Sequence, residues 1–267
     1  MSLSRFLTPV ALAAALAFGS VGTSAFAKNI ELKFGVTPVP HAEIAEFIKP
    51  KLAQEGVDLK IVEFNDYIQP NLALKSGDLS ANYFQTVPYL EDFAKQHKLD
   101  YEILVSVHLE PLGLYSKKVK SLKDIPDGSQ IAIPSDPTNE GRALKVLEYS
   151  GLIKLREGAT LLATTADIVE NPKKLKFLEL EPALLPRSLD DVTASVINAN
   201  FALAAGLNPA KNAIALEEKS SPFGNVVVVR KGDAQKEEFQ KLKKVLTSPE
   251  VKKFIEEKYE GGVIPVF

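Results

Sequence analysis

From residue 30 onward, short alternating or apolar runs take turns with longer stretches of helical periodicity. Residues 30–36 (IELKFGV) alternate with period two and predict a strand, broken by Pro38 and Pro40. Residues 42–55 place Ile44, Phe47, Ile48 and Leu52 on one face of a helix. A strand at 59–64, a helix at 68–76 stopped by Gly77, a short buried strand at 81–84 and a proline-opened helix at 88–96 follow. Strands at 102–107 and 112–115 complete this block. The polar stretches 117–120 and 126–128 change the texture, and a second block begins. It reads as strand 130–133, helix 140–150 ended by Gly151, strand 175–179, a short helix around 186–192, buried strand 194–197 and helix 200–205 closed by Gly206. The run VVVV at 226–229 predicts a fully buried strand, and 233–259 a single helix. This order predicts an α/β fold with mainly parallel strands. Two lobes are expected, 28–115 plus 225–267 and 116–224, with crossovers near Tyr115 and Asn225 and a ligand cleft between them.

The first residues do not belong to that pattern. Arg5 precedes an almost wholly apolar run at 6–18, too short to span a bilayer, and Ala25-Phe26-Ala27 forms an A-x-A cleavage site. Residues 1–27 therefore read as a secretory signal, with a mature chain beginning near Lys28. Net charge is −2, from 32 Lys+Arg against 34 Asp+Glu, so no basic surplus exists to neutralise phosphates and nucleic acid is excluded as a partner. Cysteine is absent, which removes disulfides, thiolate metal sites, thiol nucleophiles and thiol-linked lipid. The expected product is soluble in the periplasm. Only His41, His97 and His108 could supply imidazole ligands, and no metal or cofactor is expected.

Three stretches could carry chemistry. In residues 133–142 (IPSDPTNEGR) a βα turn points to the carboxyl end of the sheet, where ligands of such folds bind. The helix N-terminus and Arg142, one of five arginines in the chain, suit a carboxylate. Equally, Thr138 or Asn139 could cap the helix and Arg142 lie on its solvated face. The second stretch gathers Tyr67, Tyr83, Phe84 and Tyr89 beside amides, a setting for an apolar, polarisable body, with core packing as the plainer reading. In the third, Asn198 and Asn200 follow a buried strand as caps or as partners of a ligand amine, and Asn225 opens the VVVV strand at the second crossover. His108 lies beside Glu110. No nucleophile elbow, phosphate loop, dinucleotide fingerprint or zinc-protease motif accompanies that pair.

At these stretches the chain resembles the methionine-binding, NlpA-type family of solute-binding proteins of bacterial ABC importers. The matching text is FNDYIQPNLALKSGDLSANYFQTVPYLEDF, HLEPLGLYSKKVKSLKDIPDGSQIAIPSDPTNEGRAL, ENPKKLKFLELEPALLPRSLDD, VINANFA and NVVVVRKGD, in order along the whole mature chain. The resemblance implies a two-lobed periplasmic-binding-protein fold, no catalysis, and delivery of methionine or a closely related amino acid to an inner-membrane ABC permease. By position it implies that Arg142 pairs with the ligand carboxylate, assisted by Asn139. Asn198 and Asn225 would hold the amino and carboxylate groups, and Tyr67, Phe84 and Tyr89 the thioether side chain. His108 is counted with the ligand contacts. With Glu110 it is also the pair that an exported two-lobed enzyme acting on amino-acid derivatives would use. Two departures stand out: Thr86 occupies the position of the family's usual His, opening the side-chain slot to a larger or more polar ligand, and the family's lipobox cysteine is missing.

Overall fold

The computed structural model describes residues 29–218 and 222–267, so the expected secretory segment 1–27 lies outside the described residues. Strand β1 (Ile30–Val36) buries Leu32, Phe34 and Val36 on one face, and α1 (Glu43–Gln54) covers them with Ile44, Ile48 and Leu52. Side chains of this size each contribute roughly 1.5–3 kcal/mol when fully buried. Next come β2 (Val57–Glu63), α2 (Gln69–Ser76), β3 (Ala81–Thr86), α3 (Val87–His97) and β4 (Tyr101–Leu109). Residues 110–112 carry the chain into the second sheet.

That sheet begins with β5 (Gly113–Tyr115) and β6 (Gln130–Pro134), followed by α4 (Pro137–Tyr149) and the paired β7 (Lys154–Leu155) and β8 (Ile168–Glu170). It continues through β9 (Lys176–Leu180), α5 (Leu185–Ser188), β10 (Ala194–Ile197), α6 (Ala199–Ala204), α7 (Pro209–Asn212) and β11 (Ala215–Leu216). Its order is β11-β5-β10-β6-β9, with Ile131, Ile133, Leu144, Leu147 and Val196 in the core beneath it. The chain then returns through β12 (Gly224–Arg230), α8 (Glu237–Leu246), α9 (Pro249–Tyr259) and β13 (Ile264–Pro265). The first sheet is completed in the order β13-β4-β12-β3-β1-β2.

Several details differ from the sequence reading. The strands are mixed rather than mainly parallel. β2-β1-β3 and β10-β6-β9 are parallel pairings, but β12 runs antiparallel between β3 and β4, and β5 antiparallel to β10. The cause is directional: β12 enters the first sheet from the second lobe, against β3 and β4, which run toward it. Gly113–Tyr115 pairs with β10, so the first crossover precedes Tyr115. The expected helix over 233–259 is two helices, because Pro249 has no N–H to continue a ladder and opens a new first turn instead. The expected helix at 140–150 starts earlier, at Pro137, because the Asp136 side chain accepts from the Asn139 N–H and takes the N-cap position.

This topology brings the carboxyl ends of β3 and β4 beside the start of β12. Asn225 stands opposite Thr86 on one side and His108 on the other. Across the gap lie the N-termini of α4 and α6. The lobes touch there: Tyr67 Oη donates to Asn200 Oδ1 at 2.6 Å, and the rings of Tyr67 and Phe201 are 5.3 Å apart.

Candidate functional site

Between the lobes lies a cavity of about 20 Å³. The first lobe supplies Tyr67, Phe84, Thr86, Tyr89 and Asn225 to its wall, and the second supplies Asn139, Arg142 and Asn198. Those are all the sequence-predicted site residues except His108. A cavity of about 200 Å³ adjoins it, walled by Tyr67, Tyr89, Phe93, Pro182 and Phe201, and shares the first two rings. The converging amides and the guanidinium belong to the smaller cavity, which places the polar chemistry there. It has room for about one water, so anything as large as an amino acid enters only when the lobes part.

The amide orientations follow from one carboxylate. Asp136 accepts from the Thr138 hydroxyl at 3.0 Å, the Asn139 N–H at 3.0 Å, and Asn139 Nδ2 at 2.9 and 3.0 Å. Burial pushes its pKa up and these donors pull it back. An ionised carboxylate only accepts, so Asn139 must turn its NH₂ to Asp136 and its oxygen away. That oxygen accepts from Asn198 Nδ2 at 2.9 Å. Asn198 must then present Oδ1, which is buried and has no hydrogen-bond partner among the described residues. An orphaned buried acceptor costs about 1–3 kcal/mol, and a donor arriving in the cavity removes that cost.

Asn225 is turned the other way. His41 Nε2 lies 3.1 Å from its Oδ1, and the Thr37 hydroxyl lies 2.7 Å from His41 Nδ1. Burial lowers the His41 pKa to about 4, so the ring is neutral; we assign its proton to Nε2, which donates to Asn225. The Asn225 oxygen is thereby used and its NH₂ is left for the cavity. The two asparagines thus present opposite ends: Asn198 an acceptor, Asn225 a donor.

Arg142 is buried, not on a solvated face. Its fork is occupied by a residue that the sequence gives no reason to single out. Nε donates to Glu217 Oε1 at 2.7 Å and Nη2 to Glu217 Oε2 at 2.6 Å, while Nη2 also donates to the Glu110 backbone carbonyl at 2.7 Å. The guanidinium carbon lies 4.3 Å from the centre of the Phe223 ring. Glu217 is absent from the wall of the central cavity, so the pair lies behind it, and Nη1 is the part of the fork that these bonds do not use.

The three rings come together: Tyr67 and Phe84 are 5.9 Å apart, Tyr67 and Tyr89 5.7 Å, and Tyr89 Oη donates to the Tyr67 carbonyl at 2.9 Å. Thr86 sits at the N-cap of α3 without a side-chain capping bond, its side chain available to the cavity. Gln85, Glu110 and Asn200 line the cavity as well, beyond the predicted set. Asn200 and Glu110 already stand out in the sequence, Asn200 as a cap or ligand partner and Glu110 beside His108, whereas alternation around Phe84 would turn Gln85 to the other face.

His108 is the one correction among the predicted contacts. It is fully buried in β4 and does not reach the cavity. Tyr83 Oη bonds to its Nδ1, and its Nε2 lies 2.7 Å from Glu110 Oε1. Burial lowers its pKa to about 3 and pushes the Tyr83 phenol well above its ordinary value. The phenol therefore donates to Nδ1, and the ring proton sits on Nε2, facing Glu110. His108 and Glu110 are two residues apart and their side chains meet; His108 lies within β4, and Glu110, just past the strand end, is the one on the cavity wall.

A model of the NlpA lipoprotein family matches residues 32–267. The chain belongs to the NlpA lipoprotein family. A relative from Vibrio cholerae, named as a probable D-methionine-binding lipoprotein MetQ, is 42% identical over 98% of both chains. A nutrient-binding protein from Burkholderia cenocepacia, solved bound to methionine, is 48% identical with a TM-score of 0.85 over 88% of this chain and 100% of its own. An ABC-transporter periplasmic substrate-binding protein from Coxiella burnetii is 39% identical with a TM-score of 0.84, covering 88% and 100%. These NlpA relatives share the two-lobed fold, and they are named as binding proteins rather than enzymes.

Proposed function

We propose that this chain is an extracytoplasmic solute-binding protein that captures methionine, or a close amino-acid relative, between its lobes and hands it to an ABC permease. The observation that carries the reading is the orphaned Asn198 Oδ1, fixed as an acceptor by Asp136 and Asn139, in the same cavity as Arg142 and the Asn225 amide. Acceptor at one end and donors at the other match the two ends of an amino-acid zwitterion. Tyr67, Phe84 and Tyr89 supply rings that favour a thioether by roughly 0.3–1.5 kcal/mol. The same relatives support a binding protein over the exported enzyme built on His108 and Glu110. His108 itself does not reach the cavity and meets it only through Glu110.

Calorimetry over a panel of amino acids, with mass spectrometry of any ligand released on denaturation, tests the reading. Methionine should rank at or near the top; a panel with no binder overturns it. Among the described residues no helix is long and apolar enough to cross a membrane. The A-x-A site at Ala25–Ala27 and the missing cysteine favour a product cleaved after Ala27 and released into the periplasm, whereas the relatives are named as lipoproteins. Intact mass beginning at Lys28 supports release; a lipid adduct or retention of 1–27 overturns it.

A further inference from the structure

We propose that Glu110 is the counter-ion of the ligand's ammonium, and that the site demands a free primary amine more strictly than a free carboxylate. Its ligands then include carboxyl-amidated amino acids as well as the acids. This rests on the amino-acid-binding reading above and assigns the electrostatics of that same site.

The buried charged groups at the cavity are unequally paired. Arg142 and Glu217 form a bidentate pair whose side chains are 4% and 8% exposed. The Leu112 N–H adds a 3.3 Å contact to the same carboxylate. That pair is internally neutral, and Arg142 meets Glu110 only through the latter's backbone carbonyl. Glu110 lines the cavity and is buried. Its side-chain neighbours are two imidazoles, His108 Nε2 at 2.7 Å and His41 Nε2 at 3.3 Å. Both rings are neutral; His108 donates its Nε2–H to Glu110, while the one Nε2–H of His41 goes to Asn225. Among the described residues no Lys or Arg forms an ion pair with that carboxylate. The carboxylate thus has neutral donors, the Asn200 backbone N–H among them, and no direct cationic partner; burial raises its pKa against the pull of those donors and of the more distant Arg142, and an arriving cation would favour its charged form.

Asn198 Oδ1 is a second, independent observation on the same wall: a buried acceptor without a donor. A charged acceptor and a neutral one together suit an –NH₃⁺ group. The opposite end offers a guanidinium already neutralised by Glu217 and the Asn225 amide. Those donors serve a carboxylate, an ester carbonyl or an amide carbonyl alike, so losing the ligand's negative charge costs less than losing its positive one.

The test uses the amino acid that the mature protein binds most tightly, its carboxamide, and its desamino acid; for methionine these are methioninamide and 4-(methylthio)butanoate. In calorimetry the carboxamide should lose less than about tenfold and the desamino acid more than about a hundredfold. Glu110→Gln should cost about 30-fold or more for the acid and the carboxamide, and leave the desamino acid within about threefold. A carboxamide weaker than the desamino acid overturns the proposal. So does an equal loss for all three ligands in Glu110→Gln, which marks a purely structural residue. If that variant fails to fold, the ligand comparison on the unmutated protein still decides. Because the trio is built on whichever amino acid binds, a preference other than methionine leaves this test intact, and binding of no amino acid removes both readings.

Discussion

Arg142→Ala should cost the protein stability as well as affinity, and the cause is Glu217. The bidentate pair is almost fully buried, with N···O distances of 2.6 and 2.7 Å. Removing one member of a buried pair leaves an uncompensated charge and costs about 3–5 kcal/mol. For a domain of 150–250 residues each kcal/mol moves Tm by about 2–4 °C, so the fall should be about 6–20 °C. Replacing both members removes the stranded charge, so Arg142→Ala combined with Glu217→Gln should regain much of that stability. Binding should not return, because the cavity still lacks its guanidinium; the loss should stay at about 2–5 kcal/mol, or roughly 30- to several-thousand-fold. Urea denaturation and calorimetry on both single variants and the double variant measure the two effects separately. A single variant within about 1 kcal/mol of the parent, or a double variant no more stable than Arg142→Ala, would falsify the view that Glu217 depends on Arg142.

Thr86→His should shift selectivity toward methionine by about 10–200-fold over bulkier or hydroxylated amino acids, because Thr86 lines the cavity and makes no capping bond that the change would sacrifice. Competition binding with the two proteins checks this, and an identical ranking refutes it. Gly141→Ala should destabilise by roughly 1–3 kcal/mol, since its Cβ would stand 2.1 Å from the Leu161 carbonyl oxygen, a backbone atom that cannot swing aside; an unchanged Tm refutes it. Stability should fall as pH drops from 7 toward 4. The unfolded imidazoles protonate near 6.5 while the folded rings resist to about 4 (His41) and about 3 (His108), so the unfolded state binds more protons in that window. Each ring adds at most about 1.4 kcal/mol per pH unit. Glu110, raised by burial, acts in the opposite sense because its folded form takes up a proton first, so it reduces the net slope. A flat or rising profile in urea melts at pH 7, 6 and 5 contradicts this.

What the sequence discloses of the site is local. Arg142 stands out because arginine is scarce and the IPSDPTNEGR turn joins strand to helix, and Asn198 because it ends a buried strand. Asp136 is harder to see: Pro137 at the first helical position fits its N-cap role, but Thr138 and Asn139 offer competing caps of equal quality. Glu217 carries no local signal at all. It lies 75 residues from Arg142 in a polar stretch that reads as loop, and only the approach of β11 to β5 brings it behind the guanidinium. Strand direction fails for a similar reason. The VVVV run predicts burial whichever way it points, and the antiparallel course of β12 depends on the chain's return from the second lobe. Pro249 could have divided the last helix, but amphipathic spacing continues on both sides of it and hides the break.

The site also explains how one small ligand can govern the position of two lobes. Asn198, Asn139 and Arg142 belong to one lobe, while Tyr67, Phe84, Tyr89 and Asn225 belong to the other. An amino acid touching both sets makes its full contacts only when the lobes are together, and that difference is what shifts an open–closed equilibrium. The protein's own closing contacts at this point are modest: the Tyr67–Asn200 hydrogen bond and the rings of Tyr67 and Phe201. A net hydrogen bond of this kind is worth about 0.5–1.5 kcal/mol, too little by itself to hold the lobes shut. Satisfying Asn198 Oδ1 adds a comparable or larger increment, and it does so only for a ligand that carries a donor. A ligand with a donor for Asn198 thus adds to the contacts that the lobes make with each other, which elsewhere include Asn208 Nδ2 donating to the Tyr259 carbonyl at 2.8 Å. A partner that pulls Tyr67 from Asn200 would weaken closure and ligand affinity together.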